Sequence, residues 1–85
     1  MHGPCDILRD FVKGCLTDIE KTKQSISGTQ AQLDALTANP DGNGTTVQLL
    51  RQRLAQLQAH LDETEAQLEA GREEFQAECA GRPVP

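Results

Sequence analysis

Asn39-Pro40-Asp41-Gly42-Asn43-Gly44 interrupts two long runs rich in Leu, Ala, Gln and Glu. Oxygen-bearing side chains alternate along it and a glycine closes it, which is how a calcium-binding loop begins. With Asn39 in the first ligand position, Asp41, Asn43 and Gly44 fall where such a loop wants them. The twelfth position, where a bidentate Glu is required, is Leu50, and the ninth is Val47. The stretch therefore reads as a turn, with no metal site. Asn39 and Pro40 stop one helix, Asp-Gly and Asn-Gly reverse the chain, and Thr45 caps the next helix with Gln48 completing a capping box.

On both sides of this turn the apolar residues recur at alternating spacings of three and four. Before it the seam is Cys5, Leu8, Val12, Cys15, Ile19, Thr22, Ile26, Thr29, Leu33 and Leu36. After it the seam is Val47, Leu50, Leu54, Leu57, Leu61, Thr64, Leu68, Gly71, Phe75 and Glu78. Such alternation, held over four to five heptads, is the signature of coiled-coil packing. Folding the chain between Asp41 and Gly42 brings each seam residue opposite one on the other side: Leu36 meets Val47, Ile26 meets Leu57, Val12 meets Gly71 and Leu8 meets Phe75. The expected fold is all-α: an antiparallel two-helix coiled-coil hairpin, roughly 50 Å long at 1.5 Å per residue. One domain covers residues 1–85, with a helix over 4–37, a turn over 38–45, a helix over 46–80 and a tail over 81–85. Pro4 suits a first helical position, and Gly81 with Pro83 stops the second helix.

The composition agrees. With 85 residues, two Phe and no Trp or Tyr, the chain has little from which to build a broad core, and a domain this small wants a staple or a partner. The net charge of -5 comes without the basic stripe a nucleic-acid binder needs, and an anionic membrane surface is disfavoured for the same reason. No apolar run is long enough to span a bilayer. The N-terminal residues lack the pattern of a secretory signal, so the expected location is cytoplasmic.

The cysteines leave two alternatives. Cys5 and Cys15 are separated by nine residues, which resembles one half of the twin Cys-x9-Cys helical hairpins, but the inner partner in the other half would be Glu69. A single Cys5–Cys79 disulfide at the open end of the hairpin is geometrically sensible. The other alternative is reduced thiols, with Cys15 a small buried apolar side chain. His2 and His60 have no further ligands at zinc spacing. Asp18 lies near His60 across the hairpin, and one such pair makes no catalytic site. No catalytic residue, metal or cofactor is expected, since a two-helix rod offers no concave pocket.

Ile7, Phe11 and Leu16 widen the apolar stripe of the first helix beyond one seam, and Leu49 does so near the turn. The expected function is that of a non-enzymatic structural or protein-interaction module. It self-associates, as a homodimeric four-helix bundle, or docks a partner helix along Ile7, Phe11 and Leu16. The alternative is a small redox-sensitive or disulfide-stapled protein acting through its cysteines. The hairpin dimers of plasmid copy control have a similar shape, but the acidic balance here argues against carrying over their RNA binding.

Overall fold

A computed structural model describes residues 3–39 and 44–85. It contains two α-helices and, among the described residues, no strand. Helix α1 spans Pro4–Thr37 and helix α2 spans Gly44–Glu78. They pack against each other along their length as an antiparallel hairpin measuring 59 × 20 × 14 Å. Most of the turn lies outside the described residues, and with it the calcium-loop reading of Asp41 and Asn43.

Helix α1 begins as its sequence dictates. Pro4 has no amide hydrogen to lose and takes the first helical position after an extended Gly3, whose carbonyl accepts from Asp6 and Ile7 at 3.1 and 3.2 Å. Asp6 lies in the first turn, where the helix dipole favours a carboxylate. At the other end the Ala38 amide donates to the Asp34 carbonyl at 3.0 Å and the Asn39 amide to Leu36 at 3.2 Å. Helix α2 starts and stops two residues earlier than the periodicity places it. Thr45 is thus inside the first turn and not ahead of it, so the capping-box reading of Thr45 and Gln48 gives way. Gly81 ends the chain reversal after α2 with φ +90°, a conformation that costs other residues dearly, and the Arg82 amide returns to the Cys79 carbonyl at 3.1 Å.

The seam follows the expected register. A Cβ on Gly71 would come within 3.3 Å of Val12 Cγ2, the partner that folding between Asp41 and Gly42 assigns to it. Val12 is fully buried, and Cys15, Ile19, Leu61, Leu68 and Phe75 are buried with it. The last position differs: Glu78 is exposed and Cys79 is buried in its place. A carboxylate at the seam would lose its hydration without a partner, so the cysteine turns inward.

Three threonines sit in the same seam. Thr22, Thr29 and Thr64 are buried, and no buried side-chain polar atom among the described residues lacks a hydrogen-bond partner. Thr64 Oγ1 donates to the His60 carbonyl at 2.9 Å, and Thr22 Oγ1 to Asp18 Oδ1 at 3.3 Å. Burial fades toward the turn. Leu33 is still buried, whereas Leu36, Val47, Leu50, Leu54 and Leu57 remain only half-buried.

Gly28 sits mid-helix on the exposed side, and a Cβ there would meet nothing within 4 Å. Gly28→Ala therefore raises stability by about 0.5–1 kcal/mol, since alanine loses less backbone freedom on folding. Gly71→Ala gains less, because its Cβ would come within 2.9 Å of the Phe11 ring. Denaturant unfolding of the two variants should rank them in that order.

Candidate functional site

The described residues form a two-helix rod with an open end and two flanks. The features that can act are its open end and its two flanks. At the open end the sulfurs of Cys5 and Cys79 lie at disulfide distance, with Cα atoms 5.7 Å apart and 74 positions separating them in sequence. Phe75 is buried one turn before Cys79. Asp6 Oδ1 bridges Arg9 of its own helix and Arg82 of the tail, each at 3.6 Å. Arg72 Nη2 donates to the Pro85 backbone oxygen at 3.5 Å. The start of α1, the end of α2 and the tail are thus gathered at one place. Cys15 is free and buried in the seam, shielded from the oxidants and thiols that would react with it.

The three residues expected to form one interface do not share a flank. With 3.6 residues per turn, Ile7 and Phe11 lie to one side of the seam and Leu16 to the other. Leu16 lines a shallow open depression with Lys23 of α1 and Glu65, Glu69 and Arg72 of α2. Ile7 and Phe11 lie on the flank that carries Asp18 and His60. Their exposures also differ. Ile7 is 62% exposed and Phe11 45%, against 36% for Leu16. Phe11 is partly used within the hairpin, since its ring covers the missing side chain of Gly71. That role was hidden in the sequence, where Gly71 reads only as the seam partner of Val12.

Asp18 joins polar side chains of both helices. His60 Nε2 lies 2.9 Å from Asp18 Oδ2 and donates to it, a carboxylate being able only to accept. Thr22 adds its hydrogen bond to the other oxygen, and Thr64 Oγ1 lies 3.4 Å from Asp18 Oδ2. The hydrogen bond from His60 holds the Asp18 carboxyl below its ordinary value of 3.8 against an opposing effect of desolvation, with the His60 charge and the two threonines assisting. The pair joins the helices in the correct register. With side chains from both helices meeting at one level, it acts as a clasp across the hairpin. Among the described residues, no group of three or more His, Cys, Asp or Glu side chains could hold a metal. No helix among them is long and apolar enough to cross a membrane.

Two outcomes follow. Reducing the Cys5–Cys79 pair, or Cys79→Ser, lowers stability by up to about 4 kcal/mol in the chain-entropy description of a loop this long. Urea unfolding with and without reductant measures it. Asp18 contributes stability that is present above its unfolded value and lost as pH falls through its lower folded value. The stability difference between the wild type and Asp18→Asn should therefore hold at neutral pH and shrink below about pH 4, the unfolded carboxylate range. No protein-family model matches the chain, and no curated protein or solved structure matches it.

Proposed function

We propose that this chain is a non-enzymatic protein-interaction module, a helical hairpin that presents its outer surface to another helix or to a second copy of itself. The observation that carries the reading is the apolar surface left unburied along a two-helix rod. Ile7 is 62% exposed, Leu49 is 59% exposed, and the leucines nearest the turn stay half-wet. Single exposed hydrophobes are ordinary, but here they accompany a chain with too small a core to cover them. Packing a third or fourth helix on this surface would bury side chains worth about 1.5–3 kcal/mol each when fully covered. Homo-oligomerisation is the simplest form of such association.

A second reading rests on the cysteines. A small protein whose ends are held at Cys5 and Cys79 could respond to the redox state of its surroundings, loosening the open end on reduction. Intact mass distinguishes the states. Reduction of an internal bridge adds the mass of two hydrogens to the monomer, whereas an intermolecular bridge gives a doubled mass that reductant halves.

Ile7→Asp tests the first reading. Ile7 stands clear of the core, so the substitution should leave helicity intact and stability within about 0.5 kcal/mol of the wild type. Association, read by sedimentation over a range of concentrations, should weaken. A wild type that stays monomeric at high concentration and binds no partner helix would remove the support for this reading.

A further inference from the structure

The flank that carries Phe11, Asp18 and His60 bears one further column of exposed residues on each helix. On α1 the column is Ile7, Gly14, Lys21, Gly28 and Ala35; on α2 it is Leu49, Gln56, Glu63, Ala70 and Ala77. Both columns step by seven residues, so each runs straight along a supercoiled helix. Every one of these residues is exposed. Neither Gly14 nor Gly28 has anything within 4 Å of where a Cβ would stand. The hairpin itself makes no use of their smallness, although glycine inside a helix is costly.

Reversed on itself, each column sets large against small at its ends and brings its central charge beside its own kind. Turned end for end about Lys21, the α1 column places Ile7 on Ala35 and Gly14 on Gly28. Turned about Glu63, the α2 column places Leu49 on Ala77 and Gln56 on Ala70. In both, the large apolar residue meets alanine. The register that sets Val12 opposite Gly71 also sets Lys21 within one residue of the level of Glu63. A single two-fold axis therefore serves both columns.

The geometry points to a second copy of this chain as the occupant of this flank, lying antiparallel with its two-fold axis beside Lys21 and Glu63. This rests on the interaction-module reading and names the face and the partner. Charge decides the direction. Between residues 24 and 59 only Asp34, Asp41, Arg51 and Arg53 ionise, and they cancel, so the whole net charge of -5 resides in the open half. A parallel copy would stack two acidic halves. An antiparallel copy lays each acidic half over a neutral one and brings Arg53 to Glu74 of the second copy. At the axis the two Lys21 ammonium groups are flanked by the two Glu63 carboxylates. Among the ion pairs of the described residues none involves Lys21, Arg53, Glu63 or Glu74, so all four are available. Close approach of the two α1 helices at Gly14 and Gly28 gives those glycines their use.

Sedimentation equilibrium on the oxidised protein tests this with three variants. Gly28→Leu removes a helix-weakening glycine, so the hairpin should melt at a higher temperature. It also blocks the approach of the second copy and should raise the dimer dissociation constant on the order of tenfold or more, the scale set by keeping one large apolar side chain of the interface from being covered. Glu63→Lys should weaken the dimer, and adding Lys21→Glu to the same chain should restore it. A dimer unmoved by Gly28→Leu, or not rescued by the double reversal, overturns this arrangement while leaving the interaction-module reading standing. A wild type that is monomeric at every concentration overturns self-docking. Loss of that broader reading would need, in addition, failure to bind any partner helix.

Discussion

Two helices have one seam between them, and everything else in this structure follows from that limit. A helix in a larger bundle can be covered over half its circumference, whereas here each is covered along a single line. The chain concentrates its enclosed volume at the open end, where Val12, Ile19, Leu68 and Phe75 are buried together. It leaves the leucines near the turn half-exposed. With so little burial to draw on, the hairpin adds ties that do not depend on volume: the cysteine pair first, then the weaker surface contacts of Asp6 with Arg82 and of Asp18 with His60.

The polar residues in the seam fit the same logic. An all-leucine seam would slide by a heptad with little loss. Thr22, Thr29 and Thr64 interrupt it at unequal distances from the turn, and Asp18 reaches His60 on the other helix at one register only. The ring of Phe11 resting in the gap left by Gly71 adds a shape-based lock of the same kind. Specificity in a thin core comes from irregularity.

The alternating spacing made the fold legible, because a period of three and four has one structural meaning when it persists for several heptads. The pairing of the two halves was legible because the seams match in length and in the placing of large against small. Helix α1 was read to its observed bounds. Helix α2 was not, because Gly44 and Thr45 read as turn and cap residues and nothing local requires them to join the helix. A strict repeat puts Glu78 at the last seam position, whereas the cost of burying a carboxylate favours Cys79 there, the residue that the disulfide reading already sets opposite Cys5. The split of Ile7 and Phe11 from Leu16 was available from helical geometry alone. Residues close in sequence on a helix need not share a face. The contact of Phe11 with Gly71 depends on a side-chain rotamer, on which the sequence is silent.

With Cys5 and Cys79 joined, all but a few residues at each end belong to one covalent ring. In such a ring the turn ceases to be the sole tie between the helices. A protease that cut the backbone between α1 and α2 would open the ring without parting its halves. Broken and whole chains would share the same partner helix at each heptad, and the cut would merely relocate the ends. The hairpin is therefore tethered at both ends, and its two ends can be severed or spared independently, one by hydrolysis and the other by reduction.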